Sequence, residues 1–237
     1  SSRAKGDVFL KLETAQETGA FKIRGAANRL LNLGTDQRMR GVITVSTGNH
    51  GKAVAHVARQ LGIRTVICVP ELVLSHKLSA MRDLGAEIVV HGGSQDEAEG
   101  HALKLAEEQG FTLISPFDDP DVIAGQGTIG IEIIEDLPDV NMVVVPLSGG
   151  GLISGIALAL KSASPCTHIV GVSMVRGAVM HASLLAGKPV RLREESTLAD
   201  SLMGGIGLDN QYTFAMVRDL VDHVSLLPED EIAGAMV

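Results

Sequence analysis

The sequence predicts an α/β protein built on parallel sheets, and three observations predict it. Short β-branched runs alternate with longer segments of helical period. Apolar residues make up 45% of the 237-residue chain, enough for a sizeable core and for one large or two small domains. No low-complexity linker or internal repeat interrupts the alternation, so any division into domains must arise by insertion. Alternation of this kind predicts helices over parallel strands, with ligands at the carboxyl ends of the strands.

In chain order, VFLKLE (8–13) reads as a strand and FKIRGAANRLLNL (21–33) as the helix after a polar loop. GVITV (41–45), RTVICV (64–69), AEIVVH (86–91), TLIS (112–115), MVVVP (142–146) and HIVGVS (168–173) read as further strands. Helical patterns fall between them at 50–61, 75–84, 95–109, 121–135 and 151–163, each apolar at spacings of three and four, as in AVAHVARQL. Helices at 177–186 and 209–219 follow, then a strand at 221–227. Pro228 and the acids Glu229, Asp230 and Glu231 begin a last helix, because proline suits a first turn and acids favour its positive end. A helix cut off at Val237 predicts a chain that lacks its C-terminal part.

Composition narrows the classes of function. The formal charge is -8, with no Trp, one Tyr and no basic run, which argues against nucleic acid as a partner. Gly, Pro or a charge interrupts every apolar stretch before membrane-spanning length, and the opening SSRAKGDVFLKLE lacks the apolar core of a signal peptide. Cys68 and Cys166 have no metal-like spacing, and each lies in or beside an apolar strand, so both are expected to be buried, inert thiols. The expectation is a reduced, cytoplasmic, soluble protein with no membrane partner.

Three segments can carry chemistry. In TGAFKIRGA, Lys22 stands between Phe21 and Ile23 at the start of a helix. It is either a snorkelling surface lysine or a desolvated amine of lowered pKa, able to form a Schiff base. In STGNHGKA (46–53), Gly48 and Gly51 let the backbone approach a ligand and the helix-start amides favour an anion. The plainer alternative is a turn capped by Thr47 or Asn49. In PLSGGGLISGIA (146–157), three consecutive glycines between a strand and a helix form a nest of amide donors suited to phosphate. It is not a P-loop, because no GK[ST] follows. A structural role alone is a poor account of three glycines, each of which costs conformational entropy. GQGTIG (125–130) matches the dinucleotide fingerprint letter for letter, but PDVIA before it reads as helix and MVVVP after it ends without an acid. Dinucleotide binding is therefore not expected.

GAFKIRGA, STGNHGKAVA, VIAGQGTIGIEI and SGGGLISG, in that order, resemble the threonine dehydratase and serine racemase family of pyridoxal-phosphate enzymes. The motifs run from Phe21 to Gly155, and TLADSLMGGIGLDN (197–210) and RDLVDHVSLLPEDEI (218–232) extend the likeness towards the branch named for a hydroxyectoine-utilisation dehydratase. The resemblance implies two three-layer α/β domains with mostly parallel sheets, the fold type II of pyridoxal-phosphate enzymes. Residues 41–118 would form the smaller substrate domain, inserted in a larger cofactor domain of residues 1–40 and 119–237 whose C-terminal part is missing. It implies pyridoxal 5'-phosphate as cofactor, Lys22 as its covalent lysine, Phe21 packed near it and Asn49 bonded to its ring 3-hydroxyl. Ser148, Gly149, Gly150, Gly151 and Leu152 would bind the phosphate through main-chain amides, and Ser46, Thr47, Gly48, Asn49 and His50 would grip the substrate carboxylate.

The implied activity is a lyase that removes water and ammonia from a small β-hydroxy amino acid to give a 2-oxo acid, in a homo-oligomer (dimer or tetramer). A racemase on the same scaffold is the nearest rival, with Thr47 as catalytic acid or base opposite Lys22; an inactive truncated protein of the same fold is another. Four positions depart from the family pattern. Ser148 replaces a frequent glycine, Thr47 stands where racemases have serine and many dehydratases alanine, and the closing serine or cysteine segment is not reached. Ser173-Met174 replaces the Glu-Pro that holds a cation in the racemases, so no metal is expected.

Overall fold

The computed structural model describes residues 6–71, 73 and 75–236. Residues 1–5, part of the stretch read for a leader, lie outside the described residues. Helices α1 (Lys22–Leu31) and α2 (Thr35–Arg40) lead into β1 (Val42–Val45), α3 (Asn49–Leu61), β2 (Thr65–Val69) and α4 (Ser75–Asp83). Then come β3 (Glu87–Val90), α5 (Gln95–Gln109) and β4 (Thr112–Leu113). These strands form one parallel sheet in the order β3-β2-β1-β4, with Val42 opposite both Thr65 and Thr112. Helix α6 (Pro120–Asp136) leads to β5 (Met142–Pro146), α7 (Gly151–Ala163), β6 (His168–Met174) and α8 (Val179–Ala186). Helix α9 (Thr213–Leu220), β7 (His223–Leu227) and α10 (Glu229–Ala235) follow, and the second parallel sheet runs β5-β6-β7.

Burial explains why these runs read as continuous apolar stretches. Every residue of β1 and β2 is buried, because helices cover both faces of the first sheet. Ala53, Val54, Val57 and Ala58 of α3 join Leu30 of α1 against Val42, while Ala98 and Ala102 of α5 pack against Ile43, Val45, Val66 and Cys68. In the second unit Ile153, Ile156 and Leu160 of α7 meet Val145, Leu147 and Ile169, with Phe214 and Val217 of α9 closing the cluster. Each fully buried aliphatic side chain of this kind stabilises by about 1.5–3 kcal/mol. Among the described residues no helix is long and apolar enough to cross a membrane.

GQGTIG lies inside α6, as the helical reading of its surroundings requires. Its glycines serve close packing. A Cβ on Gly125 would stand 2.5 Å from the Arg24 carbonyl oxygen of α1, and one on Gly130 2.9 Å from the Ile156 carbonyl oxygen of α7. The helix starts cleanly because Asp119 accepts from the amides of Asp121 and Val122 and Pro120 occupies the first turn.

Three expectations need correction, and one helix had none. Residues 8–12 form no strand: Val8, Phe9, Leu10 and Leu12 are exposed, and ion pairs of Lys11 with Glu132 and Asp136, and of Glu13 with Arg24, hold the segment instead of a backbone ladder. A β-branched run becomes a strand only where a neighbour pairs with it. The polar TDQRMR forms α2, for which apolar periodicity gives no signal; the Gly34 amide donating to Gln37 Oε1 at 2.9 Å starts it. Residues 209–212, read as helix, are loop, and α9 begins only at Thr213. Cys68 is buried, its thiol pushed up to about 11 by desolvation, but Cys166 is exposed because it precedes β6 rather than lying in it.

Candidate active site

Lys22 is the first residue of α1, with its Nζ 5.4 Å from the Phe21 ring centroid. The amine donates to the Pro116 carbonyl at 2.6 Å. That partner is neutral, so no charge offsets the burial, and desolvation pushes the lysine down to about 8. The structure therefore favours the desolvated amine over the snorkelling one.

The turn after β1 places Ser46 and Thr47 half-buried and Gly48 and Asn49 exposed. The Gly48 amide donates to Ser46 Oγ at 3.2 Å, and neither Thr47 nor Asn49 caps α3: Gly48 occupies the cap position. A Cβ on Gly51 would stand 2.9 Å from the Ser46 carbonyl oxygen, so the first turn of α3 lies directly on the backbone that precedes it. The His50 side chain is buried, away from the exposed pair. Its Nε2 lies 3.2 Å from the Ile114 carbonyl, which also accepts from Thr44 Oγ1 at 2.8 Å. Burial first, and the nearby Lys22 charge second, push the imidazole down to about 3. A carbonyl partner assigns the proton to Nε2 and leaves Nδ1 a lone pair, and that buried nitrogen has no partner among the described residues.

The turn after β5 is tighter. Gly149, Gly150 and Gly151 are buried and Ser148 and Leu152 half-buried. Gly150 has φ +89°, open to glycine and costly for other residues. A Cβ on Gly149 would meet the Phe117 ring at 2.5 Å, one on Gly150 the Met180 Cε at 2.9 Å, and one on Gly151 the Phe117 carbonyl oxygen at 2.8 Å. Each glycine thus has a packing reason, which the sequence argument against a structural role did not foresee. The same close packing leaves the turn as bare main chain at the head of α7, thirteen residues long, whose first amides favour an anion.

Residues 114–119, beyond β4, bring these parts together. Ile114 receives His50, Pro116 receives Lys22, and Phe117 lies on Gly149 and Gly151. Phe21 and Leu152 pack against one hydrophobic cluster with Phe117. Asn49 stays exposed, outside this convergence. The sequence reading missed SPFDD (115–119); the available signal was its place at the carboxyl end of a strand, where parallel sheets hold ligands. Ser173 and Met174 end β6 buried, and among the described residues no group of three His, Cys, Asp or Glu could hold a metal.

A lysine amine of lowered pKa beside a glycine turn at a helix head, on parallel sheets, is chemistry for covalent capture of a phosphate-bearing carbonyl compound. The whole chain, residues 1–237, matches the pyridoxal-phosphate dependent enzyme family, and it belongs to that family. It is 51% identical over 229 residues to a Sinorhizobium fredii protein provisionally named threonine dehydratase, covering 97% of this chain and 69% of that one. The processed form of threonine deaminase isoform 2 from Solanum lycopersicum superimposes with a TM-score of 0.89 at 41% identity, over 95% of this chain and 61% of that one. Maize serine racemase does so with a TM-score of 0.88 at 38% identity, over 95% and 69%. Other curated relatives are spanned over only 57% of their length. The fold is the mixed α/β arrangement with parallel sheets that these neighbours share, as the family resemblance implies.

Proposed function

We propose that this chain carries the cofactor and substrate sites of a pyridoxal-phosphate dependent lyase that eliminates water from a small β-hydroxy amino acid, the product then taking water back as it hydrolyses to a 2-oxo acid and ammonia. The single observation that carries the reading is Lys22, an amine held by the neutral carbonyl of Pro116, next to the Phe117 that packs on the glycine turn, and lowered to about 8. The relative named for threonine dehydratase and the neighbour named for threonine deaminase support the reaction class. The substrate we assign is threonine, serine or a hydroxyectoine-derived β-hydroxy amino acid, the last from the likeness at 197–210 and 218–232.

The residues present fit the cofactor. Lys22 would hold it covalently, the amides of 148–152 its phosphate, and Phe21 would pack near it; Asn49, exposed here, would have to turn inward to meet its ring hydroxyl. When bound, pyridoxal phosphate supplies an electron sink for charge left at the substrate α-carbon. Lys22, in its uncharged form, takes the α-proton. The amides of 46–50 hold the substrate carboxylate, a positioning effect worth several kcal/mol of the barrier. His50, neutral at any pH well above about 3, holds that turn to Ile114 without adding charge. In the same reading residues 41–118 act as a substrate domain inserted in the larger one, within a cytoplasmic homo-oligomer.

Lys22→Ala tests the assignment. The parent reacts with pyridoxal 5'-phosphate to give a violet-absorbing lysine adduct and releases 2-oxo acid from serine or threonine; the variant does neither. Because the free amine is the nucleophile, the adduct forms faster as pH rises through about 8, rather than through the usual lysine value of 10.5. An adduct band retained in the variant defeats the assignment.

A further inference from the structure

Asp118 lies in the segment that joins Lys22 to the glycine turn, two residues beyond Pro116 and next to Phe117. It does not contact Lys22. Its carboxylate instead accepts three consecutive backbone amides across 93 to 95 residues of chain: Gln211 at 2.7 Å, and Tyr212 and Thr213 at 2.9 Å each. These are the entry to α9, whose own cap residue, Tyr212, offers no side-chain cap. A carboxylate from a distant segment therefore satisfies amides that a helix start leaves free.

The consequence reaches the glycine turn through Thr213. That residue is fully buried, its hydroxyl accepts from Asn210 Nδ2 at 2.8 Å, and Asn210 Oδ1 accepts from the Phe214 amide at 2.8 Å. A Cβ on Gly150 would stand 3.0 Å from the Thr213 Cβ and 3.1 Å from Val217 Cγ2, so two successive turns of α9 press on Gly150. We propose that Asp118 is a positioning residue for the phosphate-binding turn: it seats the start of α9, and α9 in turn sets the backbone of Gly150. This rests on the reading of residues 148–152 as the phosphate site.

Plain electrostatics predicts the opposite sign. A carboxylate near an anion site repels the anion, so Asp118→Asn would tighten phosphate binding if charge alone mattered. Positioning predicts that it loosens, since an amide side chain accepts through one oxygen only and sets its NH2 against the Gln211 amide that Oδ2 now receives.

The test measures dissociation constants of pyridoxal 5'-phosphate and of pyridoxal, which lacks the phosphate, for the cofactor-free parent, Asp118→Asn and Asp118→Glu. The parent should prefer the phosphorylated form strongly. Asp118→Asn should lose about tenfold or more in affinity for pyridoxal 5'-phosphate and less than about twofold for pyridoxal. Asp118→Glu keeps the charge but displaces it, and should show a smaller loss of the same selectivity, which serves if the asparagine variant does not fold. A parent with no preference sinks the phosphate site and this proposal with it. A preference that survives both substitutions, or that grows in Asp118→Asn, overturns the positioning role alone. Equal losses for both compounds reduce Asp118 to a general structural contact and overturn it too.

Discussion

The glycine-bearing strand-to-helix turns after β1 and after β5 are built differently. After β1, Gly48 and Asn49 are exposed, and a Cβ on Gly48 would meet nothing within 4 Å. After β5, all three glycines are buried, and a Cβ on any of them would meet Phe117, Met180 or Thr213 at 3.0 Å or less. The first turn has room to adapt and presents hydroxyl and amide side chains. The second is shaped by its neighbours into main chain alone. Glycine at one site therefore leaves space open, and at the other it lets elements touch. A turn of the first kind suits substrates that come and go, and one of the second kind suits a group held permanently.

Gly150→Val should break this comparison most severely. It adds a branched side chain at φ +89° against Met180 and Thr213. Overpacking and left-handed strain together should cost about 2–5 kcal/mol of stability in a urea titration, and cofactor affinity should fall with it. Unchanged affinity would show that the second turn does not hold the phosphate.

Thr47→Ala sharpens the comparison on the adaptable side. Thr47 is half-buried, and its β-branch restricts the rotation that would aim its hydroxyl. Elimination needs Lys22 on one face only, so the rate should fall from a few-fold to about 100-fold, on the order of 1–3 kcal/mol. Release of 2-oxo acid should still exceed formation of the opposite enantiomer of serine or of the α-epimer of threonine. A parent that racemises faster than it eliminates, with Thr47→Ala abolishing only racemisation, would reverse the reaction class.

The smallest effect should come from Gly48→Ala. Its Cβ would point into open space and its φ of -134° is not left-handed, so the cost should be only that of its ψ of -142°, outside the broad β region, about 1 kcal/mol. A loss as large as that of Gly150→Val would mean that both turns are equally rigid, and the contrast would fail.

Much of this was legible in the sequence, for reasons local to it. The alternation of β-branched runs with amphipathic segments placed α3, α5, α7 and the strands of both sheets, because period and burial follow from the same side chains. α7 runs over 151–163, the residues its periodicity marks. Lys22 between Phe21 and Ile23 read either as a snorkelling or as a desolvated amine, and its bond to the Pro116 carbonyl decides for the second. What had no local signature was decided by partners far along the chain. Residues 8–12 have strand-like composition but lack a strand to pair with. The amides of Gln211 and Tyr212, read from the sequence as helix, donate instead to Asp118, more than 90 residues earlier. The convergence of Ile114, Pro116, Phe117 and Asp118 on four separate elements is likewise tertiary. Sequence determined most of the helices and the paired strands and singled out Lys22 as a candidate amine, since propensity and periodicity act over a few residues. Only the packed structure decided which carbonyl meets that amine and which ring demands each glycine, because those contacts join residues that the chain itself keeps apart.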